Sequence, residues 1–201
     1  MIAEALRRDI LNGLYKAGRP LRQDRIAEEM GVSKIPLREA LVQLKAEGLV
    51  EFRPRRGALV SELTSSEAEE IFTMRIALES AAISKAIPHL SNSDFIRAKS
   101  VLDIIDSEED RSQWGDLNWE FHSTLYKAAR MPRLLNTIFN LHNNVTRYLI
   151  LYLDQLSASD QSQKEHRAML NACRAGKTDE AVKVLVDHLE RASKRLMLYL
   201  P

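Results

Sequence analysis

The amino-acid sequence predicts a mainly α-helical protein in which a small N-terminal domain with one β-hairpin precedes an all-α helical bundle. Only 6% of the 201 residues are aromatic, and the chain holds just 7 glycines and 6 prolines, so strand formers and helix breakers are both few. Apolar residues recur at the i, i+3, i+4 and i+7 spacing of helices through most of the chain. Strand-like composition is concentrated between residues 49 and 60.

Three helices are predicted in the first 47 residues. The first has Ile2, Leu6, Ile10 and Leu14 at helical spacing, and glycines follow the predicted ends of the other two. The predicted helices cover residues 2–14, 23–30 and 35–47.

Two short strands follow the third helix. Residues 49–52 and 58–60 are mostly apolar, which favours two short strands. The polar segment Arg53–Gly57 between them predicts a hairpin. Helix, helix, turn, helix and hairpin is the order of a winged helix-turn-helix. We therefore expect a DNA-binding domain over residues 1–63, ending before the Ser/Thr-rich start of a new helix.

Residues 64–201 are expected to form a second, all-helical domain for effector and metal binding and for dimerisation. Pro132 fits the first turn of one helix and Gly176 the end of another. The predicted helices cover residues 66–88, 92–107, 112–130, 132–157, 160–175 and 178–199.

The chain carries no features of secretion or membrane insertion. Cys173 is its only cysteine, so no intramolecular disulfide is possible. The N-terminus is an amphipathic helix without a signal-peptide pattern, and the longest apolar stretches are too short to span a bilayer. We expect a cytoplasmic protein with no membrane partner.

Basic residues lie on the two elements that a winged helix-turn-helix directs at DNA. Residues 1–63 carry 12 Lys and Arg against 9 Asp and Glu, although the net charge of the whole chain is only +1. Arginine can bind guanine through two hydrogen bonds, and a basic hairpin can follow the phosphate backbone. Ordinary surface charge is the alternative for any one of these residues. The predicted DNA-binding residues are Ser33, Lys34, Arg38, Arg55, Arg56 and Gly57.

Histidines recur on the helices of the second domain. Asn118 and His122 lie one turn apart on one predicted helix, and His166 and His188 lie in apolar contexts on the last two. Three imidazoles and one amide oxygen could hold a divalent metal such as Zn²⁺ or Ni²⁺. Alternatively, each histidine is a core residue with satisfied hydrogen bonds. His89 is expected at the surface, and His142 is given no role.

The run Gly31-Val32-Ser33-Lys34-Ile35-Pro36-Leu37-Arg38-Glu39-Ala40-Leu41, followed by Glu47-Gly48-Leu49 and Arg56-Gly57-Ala58, resembles the DNA-binding domain of the GntR family of bacterial regulators. The family usually has arginine at the position of Lys34, and lysine lacks the planar fork that reads a base. Base discrimination there is expected to be looser, or limited to a phosphate contact.

The second domain is similar to the helical FCD domain of the FadR subgroup. The matching segments are Arg75–Glu79, Asn118–His122, Glu165-His166, and Gly176–Ala181 leading to His188. Many members of the subgroup bind a divalent metal through one aspartate and three histidines. The resemblance assigns the histidine positions to His122, His166 and His188, whereas Asn118 stands at the aspartate position.

A site with a neutral asparagine in place of that aspartate leaves the full charge of the ion uncompensated. We therefore expect a small carboxylate effector, with Arg75 or Arg147 as charge partners. Two alternatives stay open: Asn118 weakens metal binding enough to leave the pocket metal-free, or Arg75 pairs only with Glu79, four residues along the helix.

The function predicted from the sequence is that of a ligand-responsive regulator, a repressor or an activator, that binds operator DNA as a homodimer and is not an enzyme. A metal-dependent hydrolase with a three-histidine site is the main alternative, and a helical adaptor is another. Against the hydrolase, Glu120 and Glu165 stand beside ligand candidates, and adjacent helical residues point about 100° apart. The sequence also shows no HExxH motif, nucleophile elbow or phosphate-binding loop.

Overall fold

The computed structural model describes residues 2–110, 113–156 and 159–201, without the side chains of Arg147, Ile150 and residues 151–160. The chain divides into two compact units, Met1–Leu63 and Thr64–Pro201. Each unit is described by itself.

The first unit has the predicted order of three helices and a hairpin. The two strands pair in antiparallel register from Val50 opposite Val60 to Arg53 opposite Gly57. The segment before the second helix runs along the second strand of the hairpin, where the Leu21 amide donates to the Ala58 carbonyl at 2.8 Å. The elements are α1 (Ile2–Leu11), α2 (Gln23–Glu29), α3 (Lys34–Ala46), β1 (Val50–Arg53) and β2 (Gly57–Val60).

The first helix is three residues shorter than predicted. Its last turn closes with amide-to-carbonyl bonds from Gly13 to Ile10 and from Leu14 to Asp9, and Gly13 has a φ of 76°. Those two bonds form a Schellman motif, which ends a helix at a left-handed glycine. Leu14 therefore lies outside the helix and is 70% exposed.

The core of the first unit forms between α1 and α3. Leu6 and Ile10 of α1 and Leu37, Leu41 and Leu44 of α3 are completely buried. These residues follow the spacing that the sequence places on the apolar faces. Because the buried face of α3 points at α1, its opposite face is left to solvent.

A buried ion pair joins the same two helices. Arg7 is 6% exposed, and it donates to Glu47 from Nε at 2.8 Å and from Nη2 at 2.7 Å. Glu47 follows the last residue of α3, so the pair connects α1 to the end of that helix. A guanidinium and a carboxylate in this two-bond geometry satisfy each other's charge.

The second unit is all-α over the residues that the structure describes, as predicted. Thr64 and Ser91 each form a capping box, with Glu67 and Asp94 respectively. Short 3₁₀ turns follow α4 and α6. The helices are α4 (Ser65–Ala86), α5 (Asn92–Ser107), α6 (Trp114–Tyr126), α7 (Pro132–Leu156), α8 (Ser159–Arg174) and α9 (Thr178–Met197).

Helix α4 is central to the second unit and packs against α6, α7 and α9, while α8 packs against α5 and α9. Phe72 of α4, and Phe121 and Leu125 of α6, are among the completely buried side chains. This packing brings α6, α8 and α9 around one interior region. Among the described residues, no helix combines the length and apolarity needed to cross a bilayer.

We expect Arg7→Met to destabilise the first unit by about 3 kcal/mol, because it leaves the Glu47 carboxylate without its buried partner. Arg7→Met combined with Glu47→Leu should recover most of that loss, since the other carboxylate that Arg7 binds, Glu4, is exposed and stays hydrated. The free energy of opening is measured by hydrogen exchange of the α1 and α3 amides.

Arg25→Met is the matched control, because the Arg25–Glu29 pair spans one turn of α2 with both side chains largely exposed. Amide protection in this control should stay at the wild-type level. Equal losses in Arg7→Met and in the double variant would show that Arg7 acts through packing and not through charge.

Candidate functional sites

The first turn of α3 presents three of the predicted DNA-binding residues to solvent. Ser33 is the N-cap residue, and its side chain makes no capping hydrogen bond. Lys34 Nζ lies 2.8 Å from Asp24 Oδ1, and Arg38 Nε donates to Gln23 Oε1 at 3.1 Å. Both cations therefore rest on polar groups at the start of α2.

The hairpin tip presents the other three. The Arg56 amide donates to the Arg53 carbonyl at 3.1 Å and closes a turn with Pro54 and Arg55 at its centre. Arg55 has a φ of 62° and Gly57 a φ of 75°. A left-handed φ is costly for arginine and free for glycine. Arg55 and Arg56 are exposed and form no ion pair within the part of the chain that the structure describes.

The helix and the hairpin border a common depression on the surface of the first unit. Arg38, Gly57 and the start of α2 line it. Arg22 and Arg25 lie on the same rim, and the sequence analysis did not select them. Their position at the start of α2, the helix that precedes the turn before α3, was the sequence signal that could have identified them. The depression therefore collects three arginines from α3 and the start of α2, together with Asp24, and the hairpin borders it through Gly57 and Ala58.

The second unit brings three predicted residues into one cluster. His122 of α6, His166 of α8 and His188 of α9 are buried, and one ring nitrogen of each lies within 4.8 Å of the others. Their ring centroids are 4.8 to 5.6 Å apart. His122 and His188, which are 66 positions apart in the sequence, thus lie next to each other in the interior of the unit.

The hydrogen-bond partners of the three Nδ1 atoms determine the imidazole tautomers. His166 Nδ1 lies 3.0 Å from Gln163 Oε1, and His188 Nδ1 lies 2.7 Å from Glu165 Oε2. Both oxygens only accept, so both Nδ1 atoms carry the proton. The Nε2 lone pairs of His166 and His188 are therefore available to a ligand.

His122 follows the same rule through a longer chain. The Tyr126 hydroxyl donates to Glu79 Oε2 at 2.8 Å and therefore accepts from His122 Nδ1 at 3.1 Å. Glu79 Oε1 in turn accepts from Arg75 Nε at 2.7 Å. His122 Nε2 is buried and has no hydrogen-bond partner. A buried lone pair without a donor needs an explanation, and a metal ligand is one.

The imidazoles of His122 and His166 are neutral near pH 7. Burial lowers the pKa of His122 well below its usual value, and the charges of His166 and His188 lower it further. Burial and His188 have the same effect on the pKa of His166. Neutral imidazole is the form that binds a metal. The tautomers and the convergence of the three rings, with the neutral state of His122 and His166, fit a divalent ion.

Asn118, the fourth ligand candidate, lies beside the cluster and is half-buried. Its Nδ2 donates to His166 Nε2 at 3.3 Å. Turning the amide by 180° about χ2 would put Oδ1 in that place, as a fourth and neutral ligand.

A cavity of about 130 Å³ opens beside the cluster. Arg191 and Arg195 of α9 contribute cations, and Ile105 and Leu189 contribute apolar surface. Arg75 also lines it, so the residue that pairs with Glu79 still faces the cavity. The side chain of Arg147 lies outside the described residues.

Glu165 differs from the sequence-based expectation. Its position beside His166 indicated a side chain pointing away from the cluster, yet it reaches the cluster from outside through His188 on the neighbouring helix. It also accepts from Arg191 at 2.7 Å and from Gln161 at 2.8 Å. Burial raises its pKa, but the hydrogen bonds from His188 and Gln161 outweigh that effect and lower it. Glu120 instead pairs with exposed Arg97 at 2.9 Å.

His142 is a site residue that the sequence analysis missed. It lines the cavity from α7, its ring lies 5.3 Å from that of Trp119, and its Nε2 has no hydrogen-bond partner. Burial, with Arg75 as a second cause, lowers its pKa to about 3. The buried residues Ile138, Val145 and Thr146 at helical spacing were the signal that places His142 on an interior face.

Comparison with known proteins identifies the two units. Residues 1–60 match the family model of the bacterial regulatory proteins of the gntR family, and residues 70–191 match the FCD domain. The HTH-type transcriptional repressor RspR of Escherichia coli K12 is 27% identical over 196 residues, which cover 96% of this chain and 86% of RspR. A probable D-xylose utilization operon transcriptional repressor of Paenarthrobacter nicotinovorans is 28% identical over 187 residues, or 90% of this chain and 80% of that protein.

Solved structures give the same result. A GntR family transcriptional regulator from Pseudomonas syringae is 33% identical, with a TM-score of 0.63 over 98% of this chain and 84% of its own. E. coli McbR/YncC shares the fold, with a TM-score of 0.87, 22% identity and coverage of 98% and 95%. These relatives are regulators and not enzymes, which removes support from the hydrolase alternative. The chain belongs to the GntR family of bacterial transcriptional regulators, with an FCD domain as its C-terminal unit.

Proposed function

We propose that this GntR regulator is a ligand-responsive repressor that binds operator DNA as a homodimer. In this proposal a small organic acid binds in the cavity of the FCD domain, beside a divalent metal held by the histidine cluster. Its binding shifts the equilibrium between two arrangements of the regulator that differ in affinity for DNA.

Support for DNA reading comes from one arrangement. Exposed cations on α3 and at the start of α2 border a single depression, and the hairpin borders it through Gly57 and Ala58. A phosphate backbone is the partner that such a set of cations fits. Ser33, at the start of α3, can donate its hydroxyl to a phosphate, and Arg38 can donate to a guanine. Arg55 and Arg56 extend the surface along the hairpin.

Support for a homodimer is physical and does not depend on a contact in this chain. One winged domain reads only a few base pairs, and two such domains on a two-fold axis read two half-sites together. RspR is named as a repressor and the Paenarthrobacter nicotinovorans relative as a probable repressor, which supports repression over activation.

Support for a metal comes from the Nε2 lone pairs of the three histidines, of which that of His166 now accepts a hydrogen bond from Asn118. His122, His166 and His188 would hold Zn²⁺ or Ni²⁺, with Asn118 as a neutral fourth ligand. A bound ion would supply a positive centre that attracts an anion. The outer partners, Tyr126 and Glu165, hold the rings in the orientation and tautomer that ligation needs.

An anionic effector follows from the charges around the cavity. None of the four proposed ligands carries a negative charge, and Arg75, Arg191 and Arg195 add positive charge to the lining. Glu165 and Glu79 offset part of this charge by pairing with Arg191 and Arg75. We place Arg75 and Arg147 among the residues that bind the effector carboxylate. The apolar side chains suit a small carbon skeleton.

We expect Arg38→Ala to weaken binding to a duplex from the region upstream of this regulator's own gene by roughly 5- to 150-fold, the effect of losing one bidentate base contact. Fluorescence anisotropy at one fixed salt concentration measures the affinity. Arg97→Ala is the control, since it removes one exposed arginine from the FCD domain. Equal affinities of Arg38→Ala and wild type would contradict the proposed reading surface.

We expect near-stoichiometric zinc or nickel in protein purified without immobilised nickel, and a loss of at least roughly tenfold in metal affinity in His188→Ala. His89→Ala is the matched control, because His89 is an exposed histidine of the same domain. Elemental analysis and chelator competition give the content and the affinity. Metal content that is negligible in wild type, or unchanged in His188→Ala, would eliminate the metal from the proposal.

We expect Asn118→Asp to raise metal affinity by roughly tenfold or more, because a carboxylate adds charge attraction that the amide lacks. The same variant should show a smaller thermal shift with small organic acids than wild type, since its ion carries less uncompensated charge. Chelator competition and differential scanning fluorimetry measure the two effects. An unchanged metal affinity would place Asn118 outside the ligand set.

A further inference from the structure

An isoleucine stands exposed at the start of the proposed DNA-reading helix. Ile35 is the second residue of α3 and is 71% exposed. Leu37, two residues on, is completely buried, as are Leu41 and Leu44. The opposite face of α3 packs into the core, so Ile35 is exposed because it lies on the face that points away from that core.

The exposed face of α3 that contains Ile35 holds two polar and two apolar residues. Ile35, Arg38, Glu39 and Val42 follow one another at i, i+3, i+4 and i+7, so they share one face of the helix. Lys34 precedes Ile35 and is also exposed. Ile35 is thus one apolar side chain between two cations, at the end of the helix that enters a major groove first in this fold.

The major groove offers one type of apolar group to such a side chain. The edges of A, G and C present hydrogen-bond donors and acceptors, whereas thymine also presents its C5-methyl group. We propose that Ile35 packs against a thymine methyl and makes this regulator specific for thymine at one position of each half-site. This inference rests on the proposed DNA binding.

The surroundings of Ile35 favour DNA over a protein as its partner. Lys34 and Arg38 flank it, and Arg55 and Arg56 on the hairpin add two exposed cations to the same domain. A protein-docking patch needs a contiguous apolar area, and Ile35 and Val42, separated by Arg38 and Glu39, do not supply it. A phosphate backbone meets the cations, and a single methyl meets the isoleucine.

The energetic effect expected from this contact is small and can be isolated. Burying one methyl group is worth on the order of a fourfold change in affinity. Replacing thymine by deoxyuridine removes that methyl and leaves the hydrogen-bonding edge unchanged. A substitution at residue 35 removes the other partner, so the two changes together form a double-mutant cycle.

The experiment begins with selection of a duplex by the full-length protein from a randomised DNA library. Each thymine of the selected sequence is then replaced in turn by deoxyuridine, and affinities are measured at one salt concentration. The proteins are wild type, Ile35→Ser, Ile35→Val and Val42→Ala. Val42 is the matched control because it is a β-branched apolar residue, 59% exposed, two turns further along the same face.

We expect the wild-type protein to lose roughly fourfold in affinity at one thymine of each half-site. Ile35→Val and Val42→Ala should show the same loss, whereas Ile35→Ser should bind the thymine and deoxyuridine duplexes equally well.

A deoxyuridine effect that persists in Ile35→Ser, disappears in Val42→Ala, or is absent from every position in wild type would overturn the inference. Selection of no sequence at all would overturn the proposed DNA binding itself. A selected sequence with no methyl dependence leaves the proposed function standing and removes only the role of Ile35.

Discussion

The hydrogen bonds at the Nδ1 atoms of His122, His166 and His188 determine what the interior of the FCD domain can bind. Each Nδ1 proton is given to an oxygen outside the cluster, so the Nε2 lone pairs are left for the inside. If any one imidazole took the other tautomer, its Nε2–H group would point at the other two rings and no common ligand would fit. The orientation and the tautomer of the three imidazoles are thus set by residues outside the cluster. Tyr126 and Glu165 are two of these groups, and both are held by further partners.

The same outer groups connect the cluster to the cavity. Arg191 binds Glu165, which binds His188, and Arg191 also lines the cavity. On the α4 side, Arg75 lines the cavity and leads through Glu79 and Tyr126 to His122. An anion that draws either arginine toward itself would change the hydrogen bond behind a histidine. This gives the proposed effector a physical route to the three histidines without a direct contact.

Much of the fold follows from periodicity that is visible in the sequence. The number, order and type of elements in the N-terminal unit, and the all-helical character of the rest, follow from apolar spacing and from glycine, proline and capping residues. The predicted end of α1 was wrong because Leu14 continues the apolar spacing, whereas the Schellman motif at Gly13 ends the helix. A local backbone preference prevailed there over a periodic pattern. His142 was missed for the opposite reason, because a polar residue on an apolar face is visible only when its neighbours are considered.

By itself the sequence determined the kinds of elements, the family and the three histidines, because these depend on local spacing and residue identity. Only the tertiary structure decided that His122, His166 and His188 meet, since that depends on how α6, α8 and α9 pack over 66 positions of sequence. It also decided the role of Glu165, whose neighbour in the chain is His166 but whose hydrogen-bond partner is His188. Sequence spacing predicts the face of its own helix on which a side chain lies. Which helix it then meets is set by the packing of the whole domain.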